Sequence, residues 1–334
     1  MKRIVFFLLA FAAFFLLAIW LFSYSNNVEK IDLQIKRFEQ ALFSIDSVNV
    51  STTSMQWDKD FGSFNDFFAS QIIQTNRLDT QNYYNRLLDF TQDKDIREAN
   101  DSIALLFSDF SDIQHDLELA FSNFKASFPS YHIPEITTFF GGFKYGVITY
   151  DNNIGIGLDF FLGQNSKYYQ YLRDPKYLRF QKQRRFLVSN VMEVWFNENF
   201  HKSLVGHDLL SHLIYKGKMM FFLDMMLPDI PLQDKFRFTR EQMAWVQDNE
   251  SSIWEYFIYE NLLFSKKERE FRSFVNFAPF AKGMPKEAPA RVGYFIGYKI
   301  VRDYMKNKDV DIEEMIYLTD SKHFLSESKY KPNK

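Results

Sequence analysis

The side chains best suited by type to do chemistry are the imidazoles of His207 and His212, in the run His207-Asp208-Leu209-Leu210-Ser211-His212. A zinc ion bound on a helix takes two imidazoles one turn apart, about 40° around the axis, with a glutamate beside the first as base. These two stand roughly 140° apart on a helix. Ser211 occupies the place of the second ligand, and Asp208 replaces the glutamate with a shorter reach. The run is therefore expected to begin a helix, not to bind a cation. His115, His132, His201 and His323 are scattered without ligand spacing, and the absence of cysteine removes thiolate zinc sites. Neither a metal nor a cofactor is expected.

Other candidates fail on spacing. Ile154-Gly155-Ile156-Gly157 opens like a dinucleotide loop, but its third glycine would fall at Phe160, so these glycines read as strand or turn positions. Gly217-Lys218 lacks the upstream glycine of a phosphate loop, His212 being there, and Met219 stands where Ser or Thr is needed. Glu250, Glu255 and Glu260 recur near Trp254 and could form an acid/base pair, yet no nucleophile or positioned partner accompanies them. They are expected to be surface carboxylates on a long helix. Gly293 and Gly297 form a small-xxx-small step that lets a neighbouring element approach the helix backbone closely.

The elements that must position these residues are mostly helical. Apolar residues at three- and four-residue steps predict amphipathic helices over 60–74, 80–91 and 101–127, then 178–200, 207–226, 240–262, 290–306 and 311–318. Thr239 with Gln242 fits a capping box opening the 240–262 element. Met219 to Leu227 is strongly apolar but short and interrupted by Asp224, which suits a central core helix. Residues 31–35 alternate like a short strand. From Ile136 to Phe161, β-branched and aromatic residues divided by Gly141-Gly142 and Asp151-Asn152-Asn153 predict a three-stranded meander. The fold class is α+β, mainly α: a helical bundle with a small antiparallel sheet. One globular domain spans 27–320, and a loosely ordered, lysine-rich tail covers 321–334.

Composition agrees with a packed body. Of 334 residues, 46% are hydrophobic, and 39 Phe with 18 Tyr point to an aromatic core. A net charge of -2 provides no basic field for nucleic acid, which is excluded as a partner. At the N-terminus Lys2 and Arg3 precede an apolar run from Ile4 to Phe22. That pattern makes 1–26 a signal peptide or signal-anchor transmembrane helix, with residues 4–22 in the membrane and the body on the periplasmic side. Leu21-Phe22-Ser23 reads like the residues before a lipid-bearing cysteine, but Tyr24 follows and cannot be acylated. Any tether must then be the helix itself.

Several strings, in order, are similar to the GldB family of gliding motility lipoproteins of Bacteroidetes. They begin with Ile35-Lys36-Arg37-Phe38 and Ile156-Gly157-Leu158-Asp159-Phe160-Phe161-Leu162-Gly163, then Lys167-Tyr168-Tyr169. Leu213-Ile214-Tyr215-Lys216-Gly217-Lys218, Phe222-Leu223-Asp224, Leu227-Pro228, Trp245, Asn249-Glu250 and Ile253-Trp254 follow. Ala278-Pro279-Phe280, Pro289 to Gly297 and Ser328-Lys329-Tyr330-Lys331-Pro332 complete the set. The resemblance implies a non-enzymatic cell-envelope component that supports gliding motility and associated secretion through contacts with other envelope proteins. Its alternatives are a membrane-anchored zinc-peptidase-like hydrolase and an envelope module binding a peptide or glycan. It also implies a distantly zinc-peptidase-like layout, with sheet before helix and no histidine pair on the 184–200 helix. Outer-membrane lipoprotein placement conflicts with Tyr24. The residues it marks as core or interaction positions are Gly157, Asp159, Lys216, Gly217, Trp245, Glu250, Trp254, Arg291, Gly293 and Gly297. They are expected around the core and a cleft beside the 135–161 sheet.

Overall fold

The computed structural model describes residues 29–332, so the 1–26 segment lies outside the described residues. No helix among the described residues is long and apolar enough to cross a membrane.

Four short strands form one sheet: β1 (Ile35–Arg37), β2 (Ile136–Phe139), β3 (Val147–Tyr150) and β4 (Asn153–Gly157), in the order β1-β2-β4-β3. The β3–β4 hairpin is the part legible from sequence. Tyr150 pairs with Asn153 across Asp151 and Asn152, both at positive φ (45° and 59°), the backbone a two-residue hairpin turn requires and Asp and Asn tolerate. The sheet is mixed where an antiparallel meander was expected. β2 lies parallel to both β1 (Ile35 opposite Ile136) and β4 (Ile136 opposite Ile154). The segment from Gly141 to Gly146 carries the chain past β4, so β2 pairs with the second strand of the hairpin and not the first.

Between β1 and β2 run six helices, the crossover a parallel pair demands. These are α1 (Phe38–Phe43), α2 (Val50–Phe61), α3 (Ser63–Phe67), α4 (Thr80–Gln92), α5 (Lys94–Leu106) and α6 (Ser111–Ser127). The 101–127 stretch divides at Phe107–Phe110, where the Asp109 carboxylate accepts from the Ser111 N–H and starts α6. After the sheet come α7 (Lys167–Tyr171), α8 (Lys176–Arg179), α9 (Leu187–Phe200), α10 (Leu209–Met226), α11 (Leu232–Phe236) and α12 (Arg240–Asp248). The rest are α13 (Glu250–Tyr259), α14 (Glu268–Val275), α15 (Val292–Asn307), α16 (Ile312–Tyr317) and α17 (Ser321–Ser328). The capping box at Thr239 and Gln242 forms with both hydrogen bonds present.

Two hydrophobic cores flank the sheet. On one side Phe38 meets Trp57, Phe61, Phe64 and Phe68 with ring centroids 4.8–5.2 Å apart, and Phe139 joins from β2. On the other side Phe140, Ile154 and Ile156 pack towards α6, α9 and α10. Strand alternation thus sends Phe139 and Phe140 into opposite cores. α10 runs through the larger core and is buried around most of its circumference, as its apolar sequence predicts. Within the described part of the segment after Asp320, Ser321–Ser328 forms α17. Asp320 caps α17, Phe324 is fully buried, and its ring stacks on Tyr304 at 4.1 Å. Phe324 and Leu325 supply an apolar anchor that the surrounding lysines mask in the sequence.

Candidate functional site

Among the described residues α10 and α15 make the most extensive helix contact, with Gly217 and Gly297 setting its closeness and Gly293 admitting the backbone of α14. A Cβ on Gly217 would lie 2.2 Å from the Gly297 carbonyl, one on Gly297 would lie 1.9 Å from the Leu213 carbonyl oxygen, and one on Gly293 would lie 2.7 Å from the Phe274 carbonyl oxygen. Backbone meets backbone at this crossing, which only glycine permits. Beside it Lys216 is half-buried, its ammonium 5.3 Å from the centre of the Tyr294 ring.

Around this crossing, charged and polar groups are buried in pairs. Glu250, expected on the surface, is 2% exposed: it accepts from the Tyr330 hydroxyl at 3.0 Å and pairs with Lys299 of α15 at 3.1 Å. The predicted 240–262 helix breaks at Asn249, which turns Glu250 inward, while Glu255 and Glu260 remain exposed. Trp254 meets Tyr330 edge-on at 5.3 Å, and Trp245 stands half-buried on α12. On α10, Lys218 donates to the carbonyls of Ile316 and Leu318 at the end of α16, and burial holds its ammonium down to about 7.

Gly157 and Asp159 lie elsewhere, at the end of β4. Gly157 passes so close to Tyr145 that a Cβ would sit 2.1 Å from its carbonyl oxygen. Asp159 is fully buried, accepts from the N–H groups of Gly141 (2.8 Å) and Phe143, and so closes the loop that returns β2 to the hairpin. Burial pushes its carboxyl up to about 6 against those hydrogen bonds. The marked residues therefore divide between the α10–α15 crossing, α12, α13 and the end of the sheet. They do not meet in one cleft beside the sheet. The cavity there, ≈470 Å³ near the hairpin tip, is lined by Gly62, His132, Glu135, Tyr150 and Asp151 and includes none of them.

The histidines behave as helix-start residues. Asp208 caps α10 by accepting from the backbone and hydroxyl of Ser211, both at 2.8 Å; His207 is exposed, and His212 lies against Phe271 with its pKa lowered by burial and by Lys216. Among the described residues no three of His, Cys, Asp and Glu gather where a metal ion could sit. α9, the 184–200 helix of the sequence reading, carries no histidine.

Two further concave features bear on function. At the start of α15, Arg291 (φ 67°) and, at the end of α11, Arg237 (φ 54°) both take the left-handed backbone that non-glycine residues avoid. Their guanidinium groups are 2% and 5% exposed, and both line a pocket of ≈270 Å³ with Lys176, Tyr177, Gln181 and Phe277. Burial would raise the Tyr294 phenol, yet Arg291, Lys216 and Arg237 around it pull it down to about 8. Arg237 and Tyr294 carry no spacing signal that would mark them in sequence. The larger feature is an open groove of ≈1250 Å³ at the end of α13, bordered by Ile258, Leu262, Phe264, Lys267 and Arg269.

The family model described as gliding motility protein GldB matches residues 23–332. No curated protein and no solved structure matches the chain.

Proposed function

The chain belongs to the gliding motility protein GldB family and is thereby a gliding-motility-related protein of the cell envelope, and we propose that it acts there without catalysis, through contacts with other envelope proteins. The tether in this reading is the apolar run at 4–22, with the body on the periplasmic side.

One observation carries the contact reading. Among the described residues most phenylalanines are buried, yet the groove at the end of α13 presents Ile258 and Phe264 at 51% and 55% exposure within one short segment. Single exposed apolar residues are ordinary, but large ones grouped on a concave surface beside Lys267 and Arg269 have the make-up of an interaction site. The marked residues Gly217, Gly293, Gly297 and Glu250 fit the same reading as the frame beneath this surface, since each is spent on fixing α10, α13 and α15 to one another.

The test is genetic and biochemical together. Removing the protein should abolish colony spreading and the associated secretion. Replacing Ile258 and Phe264 by Ser should reproduce that loss while stability changes by no more than about 0.5 kcal/mol, the usual range for surface substitutions. Normal spreading in the deletion strain would refute the proposal, and normal spreading in the double substitution would remove the groove from it.

A further inference from the structure

We infer that the groove at the end of α13 receives an acidic segment of a partner protein, its apolar side chains seated against Ile258 and Phe264 and its carboxylates held by Lys266, Arg269, Lys282 and Lys322 around them. The inference rests on the contact reading above and names the chemistry of the partner that this surface fits.

Phe264 is exposed on backbone that is fixed on both sides of it. The Leu210 N–H donates to the Leu263 carbonyl at 2.8 Å and the Leu209 N–H donates to the Ser265 carbonyl at 3.2 Å, so the first turn of α10 holds both flanking residues. The Ser265 hydroxyl donates to Glu270 at 2.7 Å and accepts from the Lys267 N–H, which ties the same segment to α14. Tyr256, also at the groove, lies against Gly283, where a Cβ would stand 2.1 Å from the phenolic oxygen. Leu262 and Leu263 are buried beneath and give the groove an apolar floor. An apolar side chain arriving here meets a preformed surface and spends little on ordering it.

Charge selects the partner. Of the ionisable groups lining the groove, Glu270 is taken by Ser265 and Lys267, which leaves Lys266, Arg269 and Lys282 against the carboxylate of Glu260. All four are exposed, and among the described residues none of these three cations is in an ion pair. Glu268 lies outside the lining, towards His212. Lys322 of α17 adds a further exposed cation, its ammonium 5.0 Å from the centre of the Phe264 ring. The whole chain carries a net charge of -2, so the groove is opposite in sign to the rest. Cations set around large apolar side chains fit a segment in which carboxylates flank apolar groups. The apolar contact buries area, while the charge pairs at the rim orient the segment and speed its encounter. A groove of ≈1250 Å³ suits an inserted chain segment better than the flat face of a bilayer, which would meet only its rim.

Fluorescence anisotropy on the full chain in phosphatidylcholine nanodiscs, with short labelled peptides of glutamate, glycine and phenylalanine, tests the inference. The peptide should bind, and replacing its glutamates by glutamine or its phenylalanines by serine should each weaken binding about tenfold, as should raising the salt concentration. Lys266→Glu with Arg269→Glu should cost about tenfold in affinity with thermal unfolding unchanged, and Lys282→Glu, on a separate segment, should repeat the effect more weakly. The inference is overturned if the peptide does not bind at up to about 1 mM, if the glutamine peptide binds equally well, or if the charge-reversed proteins keep their affinity. It is also overturned if the amides of 256–283 gain hydrogen-exchange protection when the peptide-free protein is moved from phosphatidylcholine to phosphatidylglycerol nanodiscs, which would assign the surface to lipid headgroups. The two readings fail separately. Peptide binding together with normal spreading in the Ile258 and Phe264 double substitution removes the groove from spreading and leaves the acidic ligand standing; lost spreading in that strain with no peptide binding removes the acidic ligand and leaves the contact reading.

Discussion

Replacing Gly297 by Ala should strongly destabilise the protein, although on an isolated helix the same change would help. Alanine favours a helix over glycine by about 1 kcal/mol, and nothing about residue 297 as a mid-helix position alters that preference. The crossing with α10 reverses the sign. The new methyl would stand 1.9 Å from the Leu213 carbonyl oxygen, 2.8 Å from its carbon and 3.0 Å from the Gly217 nitrogen, all of them backbone atoms that no rotamer change can move. Ordinary contact begins near 3.4 Å, so the helices must separate locally by on the order of 1.5 Å. Overpacking costs about 1–3 kcal/mol when side chains can adjust, and a wholly backbone clash belongs at or above the top of that range. A loss of about 3 kcal/mol corresponds to a fall of roughly 4 °C in Tm for a chain of this size. Urea unfolding of the purified protein measures it. Gly217→Ala meets the Gly297 carbonyl at 2.2 Å from the other side, so the double variant should lose much less than the sum of the singles, because the first separation makes room for the second methyl. A Gly297→Ala protein within 1 kcal/mol of the parent, or more stable, would show that the close crossing does not hold the fold together.

Two further outcomes follow from the buried polar groups. Tyr330→Phe removes only the hydroxyl that donates to Glu250 and should cost about 1.5–3 kcal/mol in urea unfolding, the range for a hydrogen bond to a charged group; an unchanged midpoint would mean that the segment after α17 does not dock. The Tyr294 phenol, pulled from 10.0 to about 8, should appear as a phenolate band in ultraviolet titration well before the other tyrosines and vanish in Tyr294→Phe. Because the folded state releases this proton near pH 8 while the unfolded chain keeps it to pH 10, stability should rise with pH across that window, by up to about 3 kcal/mol, and Tyr294→Phe should remove the rise. A flat difference between the two proteins from pH 8 to 10 would contradict the placement of three cations around this ring.

What the sequence disclosed depended on whether the responsible interaction is local. The Asp151-Asn152 turn and the Thr239–Gln242 cap act within a few residues of themselves, and the apolar α10 and the Gly293–Gly297 step leave a periodic or spaced trace on one helix, so each was legible. The pairing of β2 with β4 was not, because it depends on Asp159 accepting from Gly141 and Phe143, and hydrogen bonds across such a loop leave no periodic trace. α2 was missed because Ser51-Thr52-Thr53-Ser54 disfavours helix intrinsically, and the burial of Trp57 overrides that preference. Glu250 looked like a surface carboxylate since its partners, Lys299 and Tyr330, lie 49 and 80 positions away. The Arg291 pocket was invisible for the same reason: Arg237 and Phe277 reach it from separate segments.

The buried charges of this protein find their complements within the fold and so act as parts of its frame. Glu250 with Lys299 and Tyr330, Asp224 with Lys235 and Tyr298, and Lys218 with the carbonyls ending α16 each find charge or hydrogen-bond complements within the fold, and each ties α10 or α15 to a neighbour. Removing the charged partner of a buried pair such as Glu250–Lys299 leaves an uncompensated charge and costs about 3–5 kcal/mol, so these groups are fixed by stability alone. Arg291 is bound to the same frame through its backbone and Nη1, and its complement is the Tyr294 ring 4.0 Å away, whose phenol the guanidinium helps to pull down to about 8.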